Sequence, residues 1–216
     1  MITIDPLQTI VDPMVFCHTH WPHIQFYRQQ RDIIYSIVDN RETVVVAGNK
    51  LGKDFVAAFV VLWFFLTRHP CRIITTSAKD DHLRVLWGEI GNLIQTSVYS
   101  LDKRQGGCLQ VNHQELRKFV GGEIHKLTYC IGMVASQDKI AAMQGHHIAA
   151  TGDGIPRTLF VCDESSSVPD AYYRMADTWM DRALIFGNAW PCDNFFKYAV
   201  RGNPKTTDPG GDLEWA

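Results

Sequence analysis

Short runs of β-branched and aromatic residues recur along this chain, each bounded by a turn and most followed by a longer stretch whose apolar positions repeat with helical spacing. The runs are TVVVAG, CRIITTSA, LTYCIGMVA, RTLFVCDE and RALIFGNAW, beginning at Thr43, Cys71, Leu127, Arg157 and Arg182. Strands that read as continuous apolar runs are covered on both faces, and their alternation with helices predicts an α/β fold with a parallel sheet and helices on both faces. FYRQQRDIIYSIVDN carries Ile33, Ile34 and Ile37 on one helical face. A largely apolar helix is predicted from Asp54 to Leu66, stopped by Pro70. DDHLRVLWGEIGNLIQT is the next helix, with Asp80 and Asp81 at its positive N-terminal end. From Tyr99 to Gly122 no period is sustained, which places hairpins or a loop at a sheet edge.

Composition narrows the partners. With 216 residues, 46% of them hydrophobic, the chain buries a full core as one domain of ordinary size. A formal charge of −2 argues against coating nucleic acid through bulk electrostatics, so any grip on DNA is local. The six cysteines form no CxxC pair, no secretory leader is read at the N-terminus, and a reducing cytoplasm fits best. FVAAFVVLWFFL is shorter than the ~20 apolar residues that span a bilayer. Cys17, His18, His20 and His23 in CHTHWPH form the one metal-like cluster, without a second half at zinc-finger spacing.

Three motifs carry chemistry. VVVAGNKLGKDF reads as strand, loop, Gly52-Lys53 and helix, the arrangement in which backbone N–H groups and a helix N-terminus surround a phosphate while a lysine neutralises it. The bland alternative is a strand-to-helix turn with a chance Gly-Lys. Two positions depart from the common phosphate loop: Ala47 replaces its first glycine, and Asp54 replaces the hydroxyl residue that sits on magnesium. RTLFVCDE ends in Asp163, suited to hold Mg²⁺ through water, and Glu164, suited to orient or deprotonate the attacking water. Two acids at a strand exit also suit a solvated turn. LIFGNAW could set Asn188 beside a γ-phosphate, although Gly-Asn is equally a turn signal.

In this order the segments resemble the large terminase subunit of tailed bacteriophages, the ATPase that pumps DNA into procapsids. The resemblance covers roughly residues 24 to 200 and rests on QRDI, AGNKLGKD, ITTSA with its helix, ASQDKIAAMQGHH, LFVCDESSSVPDAYY and IFGNAWPCDNFFKYA. SQDKIAAMQGHH followed by VCDESSSVPD is its most specific part, since helicases and other additional-strand ATPases share only the loop and the acidic strand. The resemblance implies a parallel-sheet P-loop NTPase of the additional-strand, RecA-like type over residues 24–203, with an N-terminal extension (1–23) and a linker or tail (204–216).

The same resemblance implies residue roles. Gln30 reads adenine; Gly48, Asn49, Lys50, Leu51, Gly52, Lys53, Asp54 and Phe55 hold the nucleotide; Asp54 and Asp163 bind the metal; Lys53, Glu164 and Asn188 carry catalysis and its coupling. ATP and Mg²⁺ are the expected cofactors. Expected partners are double-stranded viral DNA, the portal protein, the small terminase subunit and further copies in a homo-oligomeric ring, a pentamer by family resemblance, in the host cytoplasm and transiently at the procapsid portal. An arginine from a neighbouring copy completes such sites, with Arg104 and Arg117 as candidates. Gln144, Gly145 and His147 match a family signature with no derivable chemistry, for which a structural turn is the alternative. The family's nuclease domain is expected to be absent, and DNA cutting with it. Many terminases have an arginine where this chain has Asn49, leaving Lys50 as the nearby cation. Two rival readings stand beside this one, a catalytically weakened nucleotide-binding assembly module and a helicase-like DNA-dependent ATPase.

Overall fold

The computed structural model describes residues 6–48, 51–149, 152–188 and 191–201. Two short helices, α1 (Pro6–Val11) and α2 (Pro13–His20), precede α3 (Arg28–Asp39). Then come β1 (Glu42–Val46), α4 (Lys53–Thr67), β2 (Arg72–Ser77), α5 (Asp80–Thr96), β3 (Leu109–Asn112), β4 (Glu115–Val120) and β5 (Glu123–Val134). The chain continues through a 3₁₀ segment (Gln137–Met143), β6 (Thr158–Asp163), α6 (Asp170–Asp177), β7 (Arg182–Gly187) and α7 (Phe195–Val200). The expected helix over residues 80–96 is found over those residues, and the expected edge structure between Tyr99 and Gly122 is the β3–β4 hairpin.

All seven strands form one sheet in the order β1-β7-β6-β2-β5-β4-β3. The five from β1 to β5 in that order pair in parallel, while β4 and β3 add an antiparallel edge. β7 thus separates β1 from β6, the arrangement that defines the additional-strand class.

Each sheet face has its own core. Leu159, Val161, Ile73 and Leu184 face α4 and α5, while Phe160, Cys162, Ile74 and Ile185 face α6 and α7. The first cluster explains why α4 is apolar all round: every residue from Val56 to Phe65 is buried, so no face needs to be polar. The N-terminal helices help to cover it. Phe16 and Trp21 pack against Phe59, and Trp63 donates its indole N–H to the Thr9 carbonyl at 2.8 Å. Each such aromatic side chain withdrawn from water stabilises the fold by about 1.5–3 kcal/mol.

Within CHTHWPH, Cys17 and Trp21 serve this packing, while His18 and His23 are exposed. Cys17 is buried in the core, where loss of water pushes its thiol up to about 11, and His20 pairs with Ser97 Oγ at 3.2 Å. Among the described residues these four side chains bring no three ligand atoms together. No helix among the described residues is long and apolar enough to cross a membrane.

Candidate active site

Parallel strands in register send register partners to the same face, so the exits of β2 and β6 set Ser77 beside Asp163 on the α4–α5 side. Opposite them α4 begins. Its N-cap, Gly52, has φ 70°, so the backbone calls for glycine, and a Cβ there would push on the Gln30 amide, 2.9 Å away. Lys53, the first residue of α4, reaches back across the strand ends. Its ammonium lies 3.0 Å from Asp163 Oδ1 and makes a short ion pair with Glu164 Oε1. Asn188, directly after β7, donates to the other Glu164 oxygen at 3.0 Å.

Glu164 takes a left-handed backbone, φ 50° and ψ 44°, which is uncommon for a residue with a side chain. That turn at the strand exit aims its carboxylate between Lys53 and Asn188. Four residues from distant parts of the sequence therefore converge, as their motifs led one to expect: Lys53, Asp163, Glu164 and Asn188.

One lysine faces three acidic side chains here, Asp54, Asp163 and Glu164. Burial works against the charge on Lys53, yet Glu164 and Asp163 outweigh it and raise the ammonium's pKa. Asp54, in the first turn of α4, is pushed above the usual carboxylate range by burial and by the nearby charge of Asp163. Lys53 meets Oδ1 of the buried Asp163 carboxylate as an ion pair, and among the described residues neither oxygen has a partner in hydrogen-bond geometry. Ser77 Oγ and Asn188 Oδ1 are likewise buried without partners. Orphaned polar atoms are rare in folded proteins and cost roughly 1–3 kcal/mol each. Clustered at three adjoining strand exits, these acceptors fit a hydrated divalent cation, and the donor set of Asp163 with Asp54 is the hard oxygen kind that Mg²⁺ takes.

The remaining candidates line the approach. Gln30 is buried on α3. Its amide oxygen accepts from Tyr27 N at 3.2 Å, and its amide nitrogen lies 3.5 Å from the Leu51 carbonyl. Phe55 packs on Phe26 with ring centroids 5.7 Å apart, while Gly48 and Leu51 are exposed. Asn49 and Lys50 lie outside the described residues. Arg104 and Arg117 stand apart from the site near the antiparallel edge, paired with Asp102 and Glu115.

The Gln144–His147 turn sits at the other end of the strands and has a structural job. Arg72, at the start of β2, donates to the carbonyls of Gly145 and His147 at 3.0 and 2.9 Å. His146 takes Tyr129 Oη at 2.8 Å and the Ala142 carbonyl at 3.0 Å. The pairing of SQDKIAAMQGHH with DESSSVPDAYY is physical: Ser136 N donates to Tyr172 Oη, and the Trp179 indole to the Met143 carbonyl.

Two residues escape a motif reading. Ser77 gains meaning only from the β2–β6 register. His82, in the first turn of α5, offers a ring nitrogen within 4.8 Å of carboxylate oxygens of Asp163 and Glu164. Only the phase of α5 relative to the sheet brings it there.

No protein-family model and no curated protein matches the chain. Solved structures do. The large terminase ATPase domain of Thermus phage P74-26 superposes with a TM-score of 0.56 at 12% identity, covering 98% of this chain and 80% of that one. The HK97 bacteriophage large terminase gives 0.55 at 12% identity, covering 86% of this chain and 38% of its own. The large terminase of a thermophilic bacteriophage, solved in complex with ADP, gives 0.52 at 14% identity over 76% of this chain and 38% of its own. At such identities the likeness is one of fold, and the chain has the RecA-like P-loop fold of these large-terminase ATPase domains.

Proposed function

We propose that this chain is the ATPase motor domain of a terminase large subunit, hydrolysing ATP with Mg²⁺ to move double-stranded DNA into a procapsid. The observation that carries the reading is the meeting of Lys53, Asp163, Glu164 and Asn188 at the exits of β6 and β7, with β7 inserted between the loop strand and the acidic strand.

Each side chain then has a task. Lys53 leaves the acids for the outer phosphates of the nucleotide, which are the stronger anion. Glu164, freed of its ammonium partner, accepts the proton of the attacking water at one carboxylate oxygen while Asn188 fixes the other. Bound Mg²⁺ supplies charge neutralisation across the phosphate oxygens; Asp163 would hold it through water, with Asp54 as the second oxygen donor. Gln30 presents one amide edge to adenine once it releases the Tyr27 N–H. Loss of the γ-phosphate changes what Asn188 and Glu164 can bond, and this is the signal passed to DNA.

Like the family it resembles in sequence, the chain works in a ring at the portal protein, with the small terminase subunit, and takes an arginine from its neighbour, Arg104 or Arg117. The test is steady-state phosphate release with and without Mg²⁺, with double-stranded DNA, and over a range of protein concentrations. Mg²⁺-dependent release that rises with concentration and vanishes in Lys53→Ala supports the reading. Binding of Mg·ATP without release would favour the assembly-module reading instead.

A further inference from the structure

Beyond the two acids and the lysine, the site has a wall that the proposed reaction does not use. It is formed by the β2–α5 connection. His82 is half-buried there, and it has no hydrogen-bond partner among the described residues. Its ring lines a cavity of about 300 Å³ together with Lys79, Glu164, Ser166 and Ser167. Of the two acids, Glu164 lines this cavity.

Three observations converge on one atom-sized place. One nitrogen of His82 and one oxygen from each of Asp163 and Glu164 lie within 4.8 Å of one another. That spread is close to what opposite ligands of one ion span, given bond lengths of about 2.0–2.2 Å. Asp163 is 4% exposed, and apart from the Lys53 ion pair its carboxylate has no hydrogen-bond partner among the described residues. Ser77, fully buried and outside the acidic pair, points its unpartnered hydroxyl from the adjacent strand onto the same face.

We propose that His82, Asp163 and Glu164 form a divalent-cation site with one nitrogen donor, in which Ser77 holds a metal-bound water, so that the site prefers a borderline first-row cation to Mg²⁺. The inference deepens the proposed function and rests on its reading of Asp163 as a cation ligand; Glu164 is a ligand of the nucleotide-free site and gives up that place when it takes the attacking water's proton. Imidazole is a poor ligand for Mg²⁺, which keeps oxygen and water around it, and a good one for Co²⁺, Ni²⁺ or Zn²⁺. A site with His82 engaged therefore separates the two classes of ion, and Lys53 must be drawn off the carboxylates for either to enter.

The test uses the full chain and Co²⁺ as probe, with and without ADP. Calorimetric titration should show Co²⁺ binding at least about tenfold more tightly than Mg²⁺. His82→Ala should cost about tenfold in Co²⁺ affinity, the range seen when a supporting histidine contact is lost, and less than about threefold for Mg²⁺. In proton NMR the Co²⁺ complex should show a paramagnetically shifted imidazole N–H that disappears in His82→Ala. His82 lies on a half-exposed helical turn, and circular dichroism confirms that the variant is folded. Equal Co²⁺ affinity in His82→Ala, or a shifted imidazole signal that survives it, overturns the assignment. So does Co²⁺ binding that is unchanged in Asp163→Asn, because the ion would then lie elsewhere. A lost imidazole signal in a protein that binds no ATP under any condition would leave the metal site standing and remove the ATPase reading.

Discussion

The two ends of the sheet are built on opposite rules. Where β2 and β6 begin, and around the start of β7, the backbone is closed off by the protein itself. Asp181 accepts from the backbone N–H groups of Arg157 and Thr158 at 2.7 and 2.9 Å, Thr158 Oγ1 donates to the Trp179 carbonyl at 2.8 Å, and Arg182 Nε donates to the Ile37 carbonyl at 3.0 Å. Where β2, β6 and β7 finish, Ser77, Asp163 and Asn188 bury polar atoms that have no hydrogen-bond partner among the described residues, Asp163 being met by Lys53 as an ion pair. The first end pairs its backbone within the fold, although the buried Nε atoms of Arg68 and Arg72 have no hydrogen-bond partner among the described residues. The second is the end at which we place the nucleotide and its cation.

The sharpest way to break that contrast is at Glu164. Glu164→Gln should lower ATP turnover by at least about 100-fold, since it removes the water's proton acceptor, while leaving nucleotide affinity and thermal stability near the parent's. Single-turnover phosphate release alongside equilibrium ATP binding checks both halves. Asp163→Asn should weaken Mg·ATP binding instead. A Glu164→Gln protein that hydrolyses ATP at the parental rate would show that the open end of the sheet is not a hydrolytic site.

A large effect of the opposite kind is expected at the closed end. Trp179 is buried, bonds the Met143 carbonyl, and touches the rings of His146 and Phe160. Trp179→Ala should cost about 3–5 kcal/mol in urea unfolding, with ATP affinity of the folded fraction unchanged. Equal damage to affinity would mean that the two ends are not separable.

Asp54 gives a smaller and more discriminating effect. With burial and Asp163 both disfavouring its charge, Asp54→Ala should gain about five- to tenfold in affinity for metal-free ATP. It should lose affinity for Mg·ATP. Calorimetry in EDTA and in excess Mg²⁺ would show the reversal, and parallel changes in both conditions would remove Asp54 from the metal's ligands.

The smallest expected effect is a pH slope. Burial lowers the pKa of His146 below its ordinary 6.5, against the help of the Ala142 carbonyl and with the charge of Arg72 adding to the effect. A histidine with a depressed folded pKa stabilises the fold above its unfolded value and loses that contribution as pH falls through about 6.5 towards the folded value. Tyr129, whose hydroxyl faces the ring from β5, stays neutral across this window, its own pKa being raised. Urea midpoints should thus fall between about pH 7.5 and 5.5, and less steeply in His146→Gln. His20 and His69 shift in the same direction and retain part of the slope.

What was legible in the sequence follows from this division. β-branched runs and the all-apolar stretch from Val56 to Phe65 declare their burial locally, so the strands and α4 could be placed by pattern. Lys53, Asp163, Glu164 and Asn188 sit at strand-to-loop exits that a motif marks. Ser77 and His82 could not be read, because one depends on which strand neighbours β2 and the other on the rotation of α5, both set by long-range packing. Helices α6 and α7 went unread for a related reason. They are eight and six residues long, too short for a helical period to stand out, and are held by contacts such as the stacked rings of Tyr173 and Phe195.

The position of β7 has a mechanical meaning. It is laced to β1 by five register pairs and to β6 by four, so a force along its axis loads both ladders in shear, all bonds sharing the strain at once. Just beyond its end, the ring of Phe196 sits where a side chain at position 187 would be, a contact that only Gly187 permits. Asn188 is therefore mounted on a strand paired along both edges, with the Phe196 ring packed against the residue before it. On the proposed function, a shift of the Glu164 carboxylate would be felt by Asn188 and could reach α7 through the Gly187–Phe196 contact, as a rod passes on a small stroke.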